Sequence, residues 1–276
     1  MKFMKSAIEK LFSGTYLRKS LAFTLAETLI VMGVIGVVAA LTIPLMSRDI
    51  NNVEKVAKFK KLYNEISNAH EQAVVAYGPV DEWFKSSDNY WVRAQKYINR
   101  LSEFLKVTKI WGERSGPFPS LAVSNTSYLD HASADLQSGA SISTKIESTS
   151  CDGLYYISSY TNTKQIRCGR ILLDIDGAKR GKNTFGIDLF VLAITKEGIK
   201  PAFCSSAFFN TDSNELASRC THGNLGSVAC GQWIMDNDNM DYLLAKDRST
   251  YDKSRTCPNG KKLGYNANLG EVRSCK

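Results

Sequence analysis

The stretch DIDGAKRGKNTFGID, residues 174–188, carries oxygen-bearing side chains at a spacing that could bind a cation. The candidate Ca²⁺ ligands are three carboxylates and one amide, at Asp174, Asp176, Asp188 and Asn183. An EF-hand loop does not fit, because Gly177 comes too early and no glutamate closes the loop, and Lys179, Arg180 and Lys182 would repel a cation. We therefore favour a hairpin whose Asp and Asn side chains cap the turn backbone, and we predict no metal or other cofactor, with calcium as the alternative.

The other chemically suggestive residues do not form a recognisable active site. Asp236, Asp238 and Asp241 make a second acidic cluster, which is a weaker candidate for a cation. Cys220 and His222 could serve as nucleophile and base, but a cysteine in a cysteine-rich region is more often half of a disulfide. The GxSxG, HExxH, P-loop and dinucleotide-binding motifs are absent, so we predict that the protein is not an enzyme.

All seven cysteines lie beyond residue 150, in surroundings rich in Ser, Asn and Gly. They form no CxxC motif and the three histidines are scattered, so the spacing of a zinc site is missing. This distribution predicts disulfides formed in an oxidising compartment. The connectivity cannot be read from a sequence; the pairs that we predict, which leave Cys204 unpaired, are Cys151–Cys168, Cys220–Cys230 and Cys257–Cys275.

Charge and hydropathy are most uneven near the N-terminus. The chain has a formal net charge of +8, and residues 1–22 carry five of its basic residues against one glutamate. The uncharged segment 28–46 follows, which is about long enough to cross the ~30 Å hydrocarbon core of a membrane as a helix. Basic residues before an apolar span predict a cytoplasmic N-terminus, and the remaining charge is too dilute to indicate a nucleic-acid partner.

The apolar segment could be a cleaved signal, a membrane anchor or a processed helix, and the carboxylate of Glu27 at its start helps to decide among these interpretations. A cleaved secretory signal would end in small residues, and an ordinary anchor would not explain a carboxylate that costs roughly 2.5–3.5 kcal/mol inside a bilayer. A third alternative places the cleavage ahead of the apolar run, between Ala22 and Phe23. Glu27 could also simply reach the membrane interface with its side chain.

The segment AFTLAETLIVMGVIGVVAALTIP, residues 22–44, resembles the N-terminal motif of type IV pilins and of the pseudopilins of type II secretion. That motif is a small residue, Phe-Thr-Leu, one variable residue, Glu and an apolar run. The resemblance implies that a prepilin peptidase cleaves between Ala22 and Phe23 and that the new amine of Phe23 is N-methylated. Ala22 in place of the usual Gly, and a leader of 22 residues, depart from the common pattern.

The same resemblance assigns assembly roles to Glu27 and Pro44, the fifth and twenty-second residues of the processed chain. Cleavage would create a positive amine about one helical turn from Glu27, in its own chain or a neighbouring one. Such a pair would set the axial register of a subunit entering a filament. Pro44 should kink or locally melt the helix, because proline removes a helical hydrogen bond.

The surrounding elements predict a pilin-like α+β fold, with a long N-terminal transmembrane and amphipathic helix packed on an antiparallel β-meander head that ends in a Cys-rich C-terminal region. We divide the chain into a cleaved basic leader (1–22), a transmembrane and filament-core helix (23–46) and an extracytoplasmic globular head (47–276). Apolar residues recur at steps of three and four from Val53 to Tyr77, and Gly78 with Pro79 ends this helix.

Further elements of the head follow from local patterns. A second helix should begin after an N-cap at Asp88 and extend through Val107, with its aromatic residues in the core. Residues 115–150 read as a long surface loop, or as loops around short strands. The runs GLYYISSY, IRCGRILLDIDG, FGIDLFVLAIT and GIKPAF predict a meander of three or four strands, and CGQWIMDNDNMDYL predicts a short helix.

These observations favour a minor pilin or pseudopilin, a structural subunit of a type IV pilus or a type II secretion pseudopilus. The expected partners are other pilin or pseudopilin subunits, the prepilin peptidase and an inner-membrane assembly platform. The expected location is the cytoplasmic membrane, crossed once with the head outside, and later a periplasmic or cell-surface filament. The alternative is a membrane-anchored extracytoplasmic binding domain, such as an adhesin, that does not polymerise.

Overall fold

Helix α1 (Leu25–Tyr77) is the first element of the computed structural model. Its C-terminal half buries one stripe of apolar side chains, at Val56, Phe59, Leu62, Ile66, Ala69 and Ala73. Gly78 ends the helix as predicted, with a positive φ of 80° and an N–H that donates to the Val74 carbonyl at 2.9 Å. Val53, which we expected in the stripe, is 62% exposed, so burial begins at Val56.

The structure describes residues 24–112, 118, 132–158, 163–181, 183–202, 230–244, 257, 259–260, 264–266 and 271–273. Within these ranges, the side chains of residues 42–49, 154–158, 163–166, 264–266 and 271–273 are not described. The chain divides into two units, residues 1–49 and residues 50–276. Among the described residues, none of the helices combines the length and the apolar character needed to cross a membrane.

A short 3₁₀ helix (Val80–Glu82) leads to helix α2 (Tyr90–Ser102). The predicted N-cap Asp88 is wrong by one residue, because the Asn89 side chain accepts the hydrogen bond from Val92 N at 3.0 Å. Asp88 instead binds Lys85 N and Lys96 Nζ. The helix also ends earlier than expected, and Val107 starts a strand.

The central element is a six-stranded, wholly antiparallel sheet. Its strands are β1 (Val107–Trp111), β2 (Ala132–Leu136), β3 (Ser141–Ile146), β6 (Gly169–Asp174), β7 (Leu189–Thr195) and β8 (Gly198–Pro201). Neighbouring strands follow the order β1-β2-β3-β6-β7-β8. The sheet is larger than predicted, because β2 and β3 form from small, partly polar residues that are buried. Both strands lie within residues 115–150, for which we left open a long surface loop or loops around short strands, and they bear out the second alternative.

Two further pairs of strands are separate from this sheet. Strands β4 (Leu154–Ser158) and β5 (Thr163–Ile166) pair with each other, so GLYYISSY forms a strand but does not join the main sheet as expected. Strands β9 (Gly264–Asn266) and β10 (Glu271–Arg273) form the other pair. Helix α3 (Cys230–Asn237), followed by a 3₁₀ helix (Asp241–Leu243), confirms the short helix predicted in this region.

The core of the second unit lies between the helices and strands β6 and β7, which are buried along their whole length. The ring of Phe59 on α1 packs 4.6 Å from that of Phe190 on β7, and Tyr63 Oη donates to the Ile199 carbonyl at 3.0 Å. The C-terminal part of α1 therefore packs on the sheet as predicted. Together, these helices and the antiparallel sheet make an α+β fold.

Candidate functional site

The N-terminus of α1 is closed by a reciprocal pair of side chains. Glu27 Oε2 accepts hydrogen bonds from Thr24 N and Thr24 Oγ1, both at 2.9 Å. Glu27 N in turn donates to Thr24 Oγ1 at 3.2 Å. This is a capping box, in which residues three apart satisfy each other's backbone N–H groups. The sequence TLAE carries the signal for this capping box. Our prediction of an assembly role for Glu27 depends instead on its charge, which does not by itself indicate a helix cap.

The first turns of α1 expose large apolar side chains on every side of the helix. Leu25 is 80% exposed, and the other members of this exposed apolar band are Leu29, Ile30, Val31, Met32, Val34, Ile35, Val37, Val38 and Leu41. Gly33 and Gly36 lie within the band, and a Cβ atom at either position would meet nothing within 4 Å. A helix that is apolar all round needs lipid or other helices as its environment.

The structure describes only some of the remaining residues of the predicted processing and assembly site. Ala22 and Phe23 lie outside the described residues, so the cleavage, the methylation and the pairing of the new amine with Glu27 stay predictions. Pro44 lies within α1, whose assigned helix continues through it. The capping box and the exposed apolar band therefore form the described part of the candidate site.

The β6–β7 connection, residues 175–188, is a turn braced by its own polar side chains, as we favoured. Asp174 Oδ1 accepts from Asp176 N at 3.2 Å and from Gly177 N at 2.9 Å. Asn183 Nδ2 donates to the Ala178 carbonyl at 2.8 Å, and Asp188 Oδ1 accepts from Thr184 N. Gly177, at φ +97°, has no room for a side chain, because a Cβ there would collide with the Gly139 carbonyl.

Burial perturbs the carboxylates of this connection. Removal from water raises the pKa of Asp174 to about 8, and the neighbouring Asp176 and Asp188 add to the rise. Burial also raises the pKa of Asp188. In the described part of the chain, no three His, Cys, Asp or Glu side chains are already arranged around one metal position.

In the second acidic cluster, Asp236 and Asp238 have side-chain partners, and Asp241 makes a contact through its backbone. Asp238 pairs with Lys60 of α1, and Asp236 accepts from Gln232 Nε2 at 2.7 Å. Asp241 donates its backbone N–H to Asn239 Oδ1 at 3.0 Å. Burial raises the pKa of Asp236. Asp236 therefore lies in the last turn of α3, and Asp238 and Asp241 lie just after it.

The described cysteines are in disulfides. Cys151 and Cys168, the first predicted pair, are joined to each other and buried. Cys230 and Cys257 are also disulfide-bonded and buried. The predicted partners of these two, Cys220 and Cys275, lie outside the described residues, as do Cys204 and His222, so the remaining pairings and the nucleophile candidate stay untested.

A buried aromatic cluster joins α1 to α2, and sequence reasoning missed it. His70 Nδ1 lies 2.9 Å from Tyr97 Oη, and the indole of Trp83 packs 6.1 Å from the His70 ring and 5.7 Å from that of Tyr97. Burial lowers the pKa of His70 to about 4, so the imidazole is neutral at physiological pH. His70 follows the buried Ile66 by four residues, and this helical spacing is the sequence signal that could have predicted its burial.

Comparison with known proteins gives no relative from which a function could be transferred: no family model, no curated protein and no solved structure matches this chain. Its function is therefore inferred from its residues and their geometry.

Proposed function

We propose that this protein is a minor pilin or pseudopilin, a structural subunit of a type IV pilus or type II secretion pseudopilus. The observation that carries the proposal is the exposed apolar band directly after the capped Glu27. Burying one large apolar side chain contributes about 1.5–3 kcal/mol, so a band of this size strongly favours lipid or a bundle of like helices. The Phe-Thr-Leu motif before Glu27 supports the bundle as the final environment.

The capping box suggests how Glu27 is kept ready for a partner. Both hydrogen bonds that the described residues donate to the Glu27 carboxylate use Oε2, so within the described part of the chain Oε1 remains open to a further donor. Cleavage before Phe23 would place an amine next to Thr24, at the end of the helix where the carboxylate already lies. Glu27 of one subunit would then bind the amine of its own or a neighbouring chain and fix the axial register.

Assembly by this route makes no covalent bond between subunits. Heterologous contacts between apolar helices that do not close into a ring generate an open helical filament. The prepilin peptidase and an inner-membrane platform are the proposed partners before assembly, with residues 23–46 in the cytoplasmic membrane and the head outside. The disulfide Cys151–Cys168 fits a head that folds in an oxidising compartment.

The experiment that tests this function is recovery of the protein in filaments sheared from the cell surface or, for a pseudopilus, crosslinked in the periplasm. Replacement of Glu27 by leucine should leave the protein in the membrane fraction and remove it from the filament fraction. Unchanged recovery of Glu27→Leu in filaments would contradict the proposal.

One observation favours a second candidate, a membrane-anchored binding domain that does not polymerise. The capping box gives Glu27 a purely local role in starting α1, and an anchored adhesin would need no more than that. This candidate predicts that the protein stays monomeric in the membrane and that any replacement able to cap the helix is tolerated at position 27.

A further inference from the structure

Strand β1 forms an open edge of the six-stranded sheet. In the part of the chain that the structure describes, β1 pairs on one side only, with β2, and its middle residues Thr108, Lys109 and Ile110 are exposed. The backbone N–H and C=O groups on its outer side are therefore open to a further strand. An exposed edge of this kind can bind an extended peptide, because the added strand continues the hydrogen-bond ladder.

The two faces of β1 differ in chemistry. Ile110 pairs with Ala134, and the register continues to the buried Ile142 on β3, so its side chain shares the apolar face of the sheet. At the edge of that face Ile110 remains 40% exposed. Lys109 and Trp111 lie on the opposite face, because successive side chains of a strand alternate. An added strand would therefore meet an apolar side chain on one face and a cation on the other.

Trp111 gathers positive charge on the polar face of this edge. The ammonium of Lys109 lies 3.5 Å from the centroid of the indole, and that of Lys179, in the β6–β7 connection, lies 5.2 Å from it. The face of an indole attracts cations, so the ring holds both ammonium groups at this edge. Arg180 lines the adjoining cleft together with Lys179. We call Lys109, Trp111, Lys179 and Arg180 the basic edge.

Asp135, the carboxylate that contacts Trp111, forms no ion pair with the basic edge. Its Oδ2 accepts from Trp111 Nε1 at 3.0 Å, and its Oδ1 accepts from Ser141 Oγ at 2.7 Å. These bonds hold the indole in one orientation. Among the described residues, no carboxylate forms an ion pair with any of the three cations of the basic edge. Their charge is therefore available to an anionic partner.

We propose that β1 and the basic edge bind an extended segment of an acidic partner polypeptide, which adds to the sheet as an outer strand. Hydrogen bonds to the backbone of β1 require a peptide, and the cations favour Asp or Glu among its side chains on the polar face. The partly exposed Ile110 favours apolar side chains on the other face. The segment that the edge recognises is therefore one in which acidic and apolar residues alternate.

Two other occupants fit these observations less well. A second copy of this chain, paired β1 to β1, would bring two sets of cations together, and like charges on adjacent strands repel. A single-stranded nucleic acid stacks its bases on open aromatic faces, but the ammonium of Lys109 already lies over the indole of Trp111. A lysine on an edge strand also prevents aggregation, but that role requires neither Lys179 nor the oriented indole.

The test is binding of fluorescein-labelled peptides to the full-length protein in non-ionic detergent, measured by fluorescence anisotropy. The probe is a short peptide of alternating glutamate and valine, compared with a lysine–valine peptide and with a glutamate–proline peptide that lacks half of the backbone N–H groups. Only the glutamate–valine peptide should bind, more weakly as salt rises, and amide hydrogen exchange in residues 107–111 should slow. No binding, equal binding of the glutamate–proline peptide, or tighter binding of a single-stranded oligonucleotide would overturn the proposal.

The informative variant is Lys109→Gln combined with Lys179→Gln, which removes two cations and leaves Trp111 in place. It should weaken binding of the glutamate–valine peptide roughly fivefold to tenfold, because each exposed ion pair contributes little by itself. The matched control, Lys61→Gln with Lys196→Gln, removes two exposed lysines elsewhere and changes the net charge equally. It should bind like the wild type. Equal weakening in both double variants would show that net charge attracts the peptide and would contradict the assignment to β1.

Peptide binding at this edge goes beyond the proposed function and concerns the second unit of the chain. A head that binds an acidic strand is compatible with a filament subunit and with an anchored binding domain. Because its test does not depend on filament assembly, its failure would leave the proposed function untouched.

Discussion

Thr24 and Glu27 hold each other at the start of α1: the carboxylate accepts from the Thr24 N–H and hydroxyl, and the Glu27 N–H donates back to Thr24 Oγ1. This relationship gives Glu27 two separable roles. It caps the helix through hydrogen bonds, and it carries a negative charge that a neighbouring amine could bind. The two roles can be tested apart, because glutamine can replace glutamate in a capping box without the charge.

Glu27→Gln should therefore retain the helix but lose assembly. A hydrogen bond to a charged group contributes about 1.5–3 kcal/mol, so loss of the charge should reduce filament recovery by roughly tenfold or more. Quantitative immunoblotting of sheared filaments against the membrane fraction measures this ratio.

Thr24→Ala is the matched variant, which removes the hydroxyl of the cap and keeps the carboxylate. It should cost about 1 kcal/mol of helix stability and leave most filament recovery intact. If Thr24→Ala and Glu27→Gln reduce recovery equally, capping rather than charge explains Glu27.

Phe59 should be a major contributor to the stability of the second unit. It is fully buried, and its ring contacts Phe190 of β7 and approaches Gly231 of α3. Phe59→Ala should lower the free energy of unfolding by about 3–5 kcal/mol, measured by urea denaturation of the detergent-solubilised protein. Val53→Ala, on the same helix but 62% exposed, should change it by less than about 0.5 kcal/mol. Equal effects of the two variants would contradict the packing described.

His70 should make the protein less stable in acid. Its pKa is about 4 in the folded protein against 6.5 in the unfolded chain, so the unfolded state binds the extra proton between these values. The contribution of His70 to the free energy of unfolding is complete above pH 6.5. It falls by at most about 3 kcal/mol as the pH drops toward 4.

The raised pKa of Asp174 acts in the opposite direction, since it favours the folded state as the pH falls from 8 toward 4. The comparison should therefore be the wild type against His70→Gln, in urea midpoints at several pH values. The difference between the two proteins should change across pH 4–6.5. A constant difference would show that His70 titrates alike in both states.

The disulfide Cys151–Cys168 closes a loop with a sequence separation of 17 residues, for which cross-linking contributes about 3 kcal/mol. Changing both cysteines to serine should lower the free energy of unfolding by about this amount. Cys204→Ser is the control, because Cys204 is the residue we predict to be unpaired, and it should have little effect. A large loss of stability in Cys204→Ser would show that our predicted pairing is wrong.

The parts of the fold that depend on local patterns could be predicted from the sequence. Gly78 with Pro79 marks the end of α1, and the continuous apolar run Leu189–Thr195 marks a buried strand. Strands β2 and β3 were predicted only as an alternative to a long loop, because their buried residues are small and partly polar. The N-cap of α2 was ambiguous, since Asp88 and Asn89 are both good capping residues and only the local geometry distinguishes them.

In the candidate site, too, the features that are local in sequence could be predicted, and those that depend on distant contacts could not. The processing motif and the acidic turn can be read along the chain, because their residues are close in sequence. The contact between His70 and Tyr97 joins residues 27 positions apart on different helices, and no local pattern predicts it. The basic edge, which brings Lys179 to Trp111, likewise emerges only when the order of the strands is known.

The most direct test of the central claim is the mass of the N-terminal peptide of the mature protein, isolated from cells and analysed by mass spectrometry. Assembly as a pilin predicts a chain that begins at Phe23 with an N-methylated amine, and an unprocessed chain in cells that lack the prepilin peptidase. A mature chain that begins at Met1, or one that is cleaved after the apolar segment at Met46, would contradict it.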